Sequence, residues 1–152
     1  MRDSFVSTLL SIAKHDQKLM LLTADLGFGI FDDFINTLPD QFLNVGVAEQ
    51  NMIGVSAGLS KVGYKVVAYS IAPFVTLRCL EQIRNDVCYH GSNVVLVGSG
   101  GGFTYGALGM SHHAIEDVAV CRAMPSLRIC TPVCNYETKL CLENLLDLGG
   151  AA

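Results

Sequence analysis

A single glutamate at the start of a helical pattern is the residue best suited to proton chemistry. Glu49 is flanked by apolar residues at Val45, Val47, Met52 and Ile53. In a site poor in water, a carboxylate can share a proton with a heterocyclic nitrogen. A carboxylate in the first turn of a helix also complements the helix dipole without any further role. The pattern therefore leaves two interpretations open, a proton-sharing group and an ordinary helix start.

A glycine-rich loop that ends in two histidines is the second candidate site. Residues 98–111 read GSGGGFTYGALGMS, and His112 and His113 follow directly. No GK[ST] follows the glycines, which argues against a P-loop, and Phe103 stands where a dinucleotide loop has its third glycine. Adjacent side chains in an extended segment point in opposite directions, so the two imidazoles are poorly placed to bind one metal. We predict an active-site loop without a metal; the alternative for both histidines is loop capping or bonding at a helix start.

Three further side chains follow predicted strands and could contact a ligand. Phe74 could stack on a flat heterocycle, and ordinary core packing is its alternative. Arg78 could pair with an anionic substrate group, although an arginine on an amphipathic helix more often faces solvent or bonds to backbone. Asp25 precedes Gly27, so an Asx-turn is the alternative to a role in a site. None of these residues identifies a function alone.

Short apolar runs alternate along the chain with longer helical patterns, which is typical of a three-layer α/β/α fold with a mainly parallel sheet. Several runs are apolar throughout, as in strands that are covered on both faces. Ligands of such sheets bind outside the carboxyl ends of the strands, so the loops after the strands should carry the site. The predicted strands are Lys18–Thr23, Phe42–Val45, Lys65–Tyr69, Asn93–Val97 and Leu127–Thr131. The predicted helices run from Asp3 or Ser4 to near His15, then Glu49–Val62 closed by Gly63, Phe74–Tyr89, Ala114–Ala123, and Tyr136–Leu148 capped by Asn135.

The composition limits the classes of protein to which the chain can belong. Its 152 residues are 51% hydrophobic and 16% charged, which predicts a single folded domain over residues 1–152. The net charge is -4, and only 10 residues are Lys or Arg, so we expect neither nucleic acid nor a membrane surface as a partner. The mean hydropathy of +0.41 is high for a free monomer, which predicts a large buried interface.

The cysteines and the amino terminus bear on location. Six cysteines are present without a CxxC pair, which favours reduced thiols. The amino-terminal apolar run is too short to span a bilayer and lacks a small-residue cleavage site. We therefore expect a cytoplasmic protein without a targeting segment.

Residues 45–59, VGVAEQNMIGVSAGL, resemble a segment of transketolases, deoxyxylulose-phosphate synthases and related dehydrogenase beta subunits. In those proteins this segment carries the glutamate that faces the cofactor's aminopyrimidine. Further matches follow in the family's order at Ala24–Leu26, Phe74 with Arg78, Glu81–Asp86 (EQIRND), Ser111–His113 with Glu116 and Asp117, and Arg122–Pro125. Several separated matches in the right order are far more specific than any one of them. The chain is similar over nearly its whole length to the pyrimidine-binding domain of the transketolase family.

The resemblance implies thiamin diphosphate as the cofactor. It places Glu49 at the pyrimidine nitrogen, with Phe74 stacked on the ring and Asp25 near the thiazolium. It implies that His112 faces the substrate's oxygen atoms and assists proton transfer, with His113 beside the same site. Arg78 remains the candidate for an anionic substrate group. The activity implied is the transfer of a two-carbon ketol unit between sugars.

The resemblance also implies a partner. The chain lacks the GDG motif and following asparagine with which the family holds Mg²⁺ and the diphosphate, a task that needs oxygen ligands. It also lacks the family's diphosphate-binding and C-terminal domains. We therefore expect a diphosphate-binding subunit or domain that holds Mg²⁺, a homodimer of pyrimidine domains, and no activity of the chain alone.

One departure from the family keeps two other functions open. Relatives usually have an acidic residue before the glycine of the histidine loop, whereas this chain has Leu108 before Gly109. The sugar recognised here is therefore expected to differ from those of phosphopentose exchange. The alternatives are part of the beta subunit of a 2-oxo-acid dehydrogenase and a non-catalytic assembly subunit; the histidine pair and EQIRND favour the transketolase interpretation.

Overall fold

Four parallel strands form the sheet, in the order β2-β1-β3-β4. The computed structural model describes residues 1–152. Each strand begins and ends within two residues of its predicted bounds: Leu19–Thr23 (β1), Phe42–Asn44 (β2), Lys65–Ile71 (β3) and Val94–Ser99 (β4). The register pairs Leu21 of β1 with both Phe42 and Val67 of its neighbours, so the strands end along one edge.

Helices cover both faces of the sheet, which confirms the predicted three-layer α/β/α fold. On one face, Met52 and Ile53 pack with Val75 and Ile83 against Leu22. On the other face, the core consists of side chains from the amino-terminal and carboxyl-terminal helices and inward residues of the strands. The helices are α1 Arg2–Ala13, α2 Asp32–Thr37, α3 Glu49–Lys61, α4 Ala72–Val75, α5 Leu80–Gln82, α6 Asp117–Cys121 and α7 Asn135–Leu148. None of them combines the length and the apolar character that a bilayer crossing requires.

The helix predicted over Phe74–Tyr89 is broken into short pieces. The chain passes from β3 directly into α4, and the hydroxyl of Thr76 donates to the Ala72 carbonyl at 2.6 Å. Such back-bonding competes with regular helix geometry. A 3₁₀ turn over Leu77–Cys79 follows, then α5 and a π-helical segment over Ile83–Cys88. The prediction of one continuous helix is therefore wrong, and the break lies beside two candidate residues.

The fifth predicted strand, Leu127–Thr131, does not join the sheet. The outer edge of β4 instead pairs with the last residues of the chain, because Ala152 donates its N–H to the Val94 carbonyl at 3.0 Å. Arg128 donates its N–H to the carbonyl of Ala151 at 3.2 Å. The prediction of a strand over 127–131 is wrong because Ala151 and Ala152 lie between this segment and β4.

The helix predicted over Ala114–Ala123 is shorter than expected. Ala114 and Gly102 exchange two backbone hydrogen bonds of 3.0 Å, which ties this residue to the glycine-rich loop. α6 consequently begins at Asp117. The predicted C′ glycine of α3, Gly63, has a φ of 93°, a left-handed conformation that favours glycine.

Candidate functional site

Glu49 and Arg78 form an ion pair at the carboxyl edge of the sheet. The Arg78 Nη1 donates to Glu49 Oε2 at 2.7 Å, and no other side chain or backbone group bonds this carboxylate. The Glu49 side chain, at the first residue of α3, is 5% exposed, whereas that of Arg78 is 44% exposed. The pair therefore consists of a buried acceptor and a cation that reaches it from the surface.

Phe74 holds the other side of the Arg78 guanidinium. The guanidinium carbon lies 4.1 Å from the centre of the Phe74 ring, within the range of cation–π attraction. The Gln50 amide donates to the Arg78 carbonyl at 3.0 Å and fixes the backbone next to α3. The broken helix thus places Phe74 and Arg78 so that a flat cation lies against an aromatic face and a carboxylate.

His112 extends this cluster toward the glycine-rich loop. Its ring meets the ring of Phe74 with centroids 4.9 Å apart and planes inclined by 64°. His112 Nδ1 lies 3.0 Å from the Ser111 hydroxyl oxygen, and Tyr105 lies edge-on to the imidazole at 6.4 Å. The hydrogen bond at Nδ1 orients the ring. Glu49, Arg78, Phe74 and His112 are therefore joined by direct contacts.

The next residue, His113, faces different partners. Its ring packs edge-on against Phe103 at 4.9 Å, and its Nε2 lies 3.2 Å from the Gly106 carbonyl oxygen. The two histidines thus contact different aromatic rings. The place of His113 beside the substrate stays a prediction.

Glycine at position 100 lets the loop fold onto itself. Gly100 has a φ of 82°, and a Cβ there would collide with the ring of Tyr105. The Tyr105 hydroxyl lies 3.2 Å from the Ser99 hydroxyl at the end of β4. Part of the glycine content of the loop therefore has a steric cause, the packing of Tyr105 beneath His112.

Asp25 lies at the same edge but outside the contact cluster. Its backbone N–H donates to the Asn44 side-chain oxygen at 2.8 Å, and the Asn44 amide returns a bond of 3.3 Å to the Asp25 carboxylate. The same Asn44 oxygen accepts the Gly46 N–H at 3.0 Å. Asp25 has a φ of 53°, which this mutual bonding supports. Asp25 and Asn44 thus connect the loops after β1 and β2, and the second of these loops leads to Glu49.

Sequence reasoning missed three residues around the cluster. Asn44 joins two loops, Gln50 fixes the backbone of Arg78, and Cys79 lies buried beneath the pair, its thiol donating to the Phe74 carbonyl at 3.2 Å. Asn44 could have been found from the sequence, because it is a polar residue at the carboxyl end of a strand, where ligands of parallel sheets bind. Burial, with a smaller effect of the Glu49 charge, raises the pKa of Cys79 to about 12. The thiol is therefore not a nucleophile at neutral pH.

Several apolar side chains in the loops after the strands are exposed. Phe28 follows β1, Val47 follows β2, and Phe103, Leu108 and Met110 follow β4; all are exposed. The expectation that Val47 shields Glu49 is wrong, because this valine is 76% exposed. Clusters of exposed apolar side chains of this kind mark interaction surfaces. This agrees with the predicted interface.

A mainly apolar groove lies away from this cluster. This groove of about 590 Å³ runs between β4 and the extended segment 127–132, and none of Glu49, Phe74, Arg78 or His112 lines it. The groove is lined mainly by apolar side chains. The candidate site is therefore the cluster of these four side chains and not the groove.

The cluster has the parts required to bind a flat heterocycle. A buried carboxylate can accept or share a proton with a ring nitrogen, and the face of Phe74 can support the ring. The imidazole of His112 contacts the Phe74 ring and can exchange a proton with a second molecule. The arrangement favours a cofactor with a flat, hydrogen-bonding ring and a substrate beside it.

Known proteins provide independent comparisons. Residues 1–150 match the family described as "Transketolase, pyrimidine binding domain". An apulose-4-phosphate transketolase subunit of Phocaeicola vulgatus is 40% identical over 147 residues, which are 96% of this chain and 47% of the relative. The "Putative transketolase C-terminal section" of Methanocaldococcus jannaschii is 39% identical over 151 residues, which are 99% of this chain and 48% of the relative. The chain thus spans about half the length of the curated relatives that it matches.

Solved structures agree with the fold. The protein described as "Split gene transketolase, inactive beta4 tetramer" superposes with a TM-score of 0.87 at 34% identity, over 99% of this chain and 48% of that one. The transketolase of Leishmania mexicana has a TM-score of 0.86 at 22% identity, over 99% of this chain and 24% of that one, which supports the fold alone.

Proposed function

The chain belongs to the transketolase pyrimidine-binding domain family, and from this we propose that it supplies the pyrimidine half of a thiamin-diphosphate site in a transketolase-like enzyme built from two polypeptides. When bound, thiamin diphosphate supplies a thiazolium carbon that adds to carbonyls and an electron sink for carbon–carbon bond cleavage. The residues of this chain would hold and polarise the pyrimidine end. The reaction proposed is ketol transfer between sugars.

One observation carries this proposal: the structure already holds a flat, hydrogen-bond-donating group between Glu49 and Phe74. Arg78 fills that position, 2.7 Å from the carboxylate and 4.1 Å from the ring centre. An aminopyrimidine has the same flat shape and needs the same two partners, an aromatic face and an acidic acceptor. The residues present therefore fit the pyrimidine part of the cofactor.

Glu49 has the central role in the proposal. Its carboxylate is buried, so a proton shared with the ring nitrogen would not be exchanged freely with water. Such sharing changes the basicity of the amino group on the same ring. Removal of the acid from Glu49 should therefore reduce the reaction rate even where the cofactor still binds.

His112 is proposed to act on the substrate. It contacts Phe74 on the side of the glycine-rich loop, so a ligand stacked on Phe74 would lie next to its imidazole. An imidazole can donate and accept protons near neutral pH, as a hydroxyl or carbonyl oxygen of a sugar requires. His113 supports the same loop through Phe103 and Gly106.

Asp25 and Arg78 receive more modest roles. Asp25 would fix the loops after β1 and β2 on the thiazolium side through its bonds with Asn44. Arg78 is the candidate for binding an anionic substrate group, and that role would require it to leave Glu49 first.

The diphosphate and its Mg²⁺ are proposed to be held by a diphosphate-binding subunit or domain outside residues 1–152. Hard cations need several oxygen ligands, and this chain has no GDG motif to supply them. The exposed apolar residues around Glu49 would contact that partner, and a second copy of this chain would complete a dimer of pyrimidine domains. Two relatives, one named as a transketolase subunit and one as a split gene transketolase, support an enzyme divided between chains.

Sugars are the proposed substrates. Two relatives carry the names of apulose 4-phosphate and 6-deoxy-6-sulfo-D-fructose, and both are called transketolase subunits. These names favour ketol transfer over the decarboxylation of a 2-oxo acid. The six unpaired cysteines, two of them exposed, support a reducing compartment such as the cytoplasm.

Calorimetry with the cofactor tests the proposal. Thiamin diphosphate and Mg²⁺ are titrated into this chain, into a purified candidate partner that carries GDG, and into their mixture. We expect binding in the mixture that depends on Mg²⁺ and exceeds the binding by either protein alone. A stable mixture that binds no cofactor would contradict the proposal and would favour an assembly role without turnover.

A further inference from the structure

The Arg78 side chain occupies the space between Glu49 and Phe74 in a way that resembles a ligand. Its guanidinium is flat, donates a hydrogen bond to Glu49 Oε2, and lies over the Phe74 ring. These are the two contacts that the proposed function assigns to the aminopyrimidine. One ring face and one buried carboxylate oxygen cannot serve both groups at once.

We propose that Arg78 is a built-in occupant of the pyrimidine position, which it holds until the cofactor displaces it. The inference rests on the proposed function, and it adds that cofactor binding is an exchange of one flat, nitrogen-rich group for another. It also defines the ligand class that can enter: a flat heterocycle that stacks on Phe74 and bonds to Glu49.

A buried carboxylate needs a partner when the site is empty. Burial of an unpaired charge is unfavourable, and the Arg78 guanidinium is the sole hydrogen-bond donor to Glu49 in the structure. Arg78 therefore keeps the carboxylate paired. A neutral residue at this position could not do so.

The geometry also allows Arg78 to leave. Its side chain is 44% exposed and has one hydrogen bond to Glu49, so rotation into solvent breaks few contacts. The Gln50 amide holds the Arg78 carbonyl, so the backbone can stay in place while the side chain moves. Exchange therefore requires a rotamer change and no refolding of the segment.

A ligand-binding role for Arg78 and its displacement by the ligand predict opposite effects of Arg78 removal on affinity. If Arg78 stays and contacts the ligand, its removal should weaken binding. If Arg78 is displaced, its removal should strengthen binding by the free energy of the contacts that no longer compete. A partly exposed ion pair and a cation–π contact together correspond to about a three- to thirtyfold gain in affinity.

The experiment measures binding of the cofactor's isolated pyrimidine half, hydroxymethyl-aminopyrimidine, to the full chain by NMR titration. The variants are Arg78→Met, which keeps the aliphatic stem and removes the charge, and Arg84→Met as the matched control at an exposed arginine of the same segment. Arg78→Gln provides a second test should the Met variant fold poorly. We expect about three- to thirtyfold tighter binding for the Arg78 variants and no change for Arg84→Met.

The variant Glu49→Gln distinguishes a failure of this inference from a failure of the proposed function. Binding that weakens in Glu49→Gln but is unchanged or weaker in Arg78→Met would overturn this inference while leaving the proposed site intact. Binding to the wild-type chain that is unaffected by Glu49→Gln would overturn the proposed function itself. A change in affinity for Arg84→Met as large as any change at Arg78 would indicate a general charge effect and would also contradict the inference.

Discussion

The imidazole of His112 meets the ring of Phe74 edge-on, with the ring centroids 4.9 Å apart. This contact connects the glycine-rich loop after β4 with the short helix after β3. A ring stacked on Phe74 and a substrate held by His112 would therefore be neighbours.

Replacement of Phe74 by leucine should weaken cofactor binding. Leucine keeps the apolar volume but lacks a flat face, so the stacking contribution is lost and the affinity of the reconstituted complex should fall about three- to tenfold. Calorimetry of the mixture measures this effect, and Tyr89→Leu is the control because that aromatic residue is exposed and makes none of the cluster's contacts. Equal affinities for the Phe74 variant and the wild type would show that Phe74 is a packing residue.

The two adjacent histidines offer a matched pair of substitutions. His112→Asn should reduce kcat for ketol transfer by about a hundredfold or more, because it removes the proposed proton donor and acceptor. His113→Asn should reduce kcat less than about tenfold, since that ring packs on Phe103. Steady-state kinetics of the reconstituted complex checks both, and a larger loss in the His113 variant would reverse the proposed assignment.

The positions of the first four strands along the chain could be predicted from sequence, because apolar runs follow local chemistry. The fifth strand could not be predicted correctly, since Ala151 and Ala152 compete for the same edge of β4. The break after Phe74 depends on the Thr76 hydroxyl and on packing, neither of which periodicity reports. The Glu49–Arg78 pair spans 29 residues, and no local pattern reveals such a contact.

Because of Cys79, the free energy of unfolding should fall as the pH rises through the alkaline range. Its pKa is raised to about 12 by burial and then by the Glu49 charge, against about 8.5 for an unfolded cysteine. The folded state therefore retains a proton that the unfolded state releases, and this stabilising contribution is present in full below pH about 8.5. It is lost as the pH rises toward 12, by up to about 1.4 kcal/mol per pH unit.

Denaturant unfolding at several alkaline pH values measures this effect in the wild type and in Cys79→Ala. The variant should lose stability with pH less steeply, whatever its stability at neutral pH. Parallel slopes for the two proteins would mean that the thiol ionises in the folded state near its ordinary pKa.

Gly100 should not tolerate a side chain. An added Cβ would collide with the ring of Tyr105, and the φ of 82° is unfavourable for other residues. Gly100→Ala should lower the free energy of unfolding by about 1–3 kcal/mol. Gly101→Ala is the neighbouring control, because a Cβ there meets nothing within 4 Å, and its effect should be about 0.5 kcal/mol or less. Denaturant unfolding measures both variants, and similar decreases in their free energies of unfolding would contradict the packing described for Tyr105.

The ketol-transfer rate of Glu49→Gln, in complex with the partner that carries GDG, tests whether the Glu49 acid takes part in the reaction. Glutamine keeps the size of the side chain but cannot share the proton of an acid, so kcat should fall by about a hundredfold or more. Glu143→Gln, at a partly exposed position of α7 away from the site, should keep the wild-type rate. A Glu49→Gln complex that binds cofactor and turns over at the wild-type rate would show that the Glu49 acid has no part in the reaction.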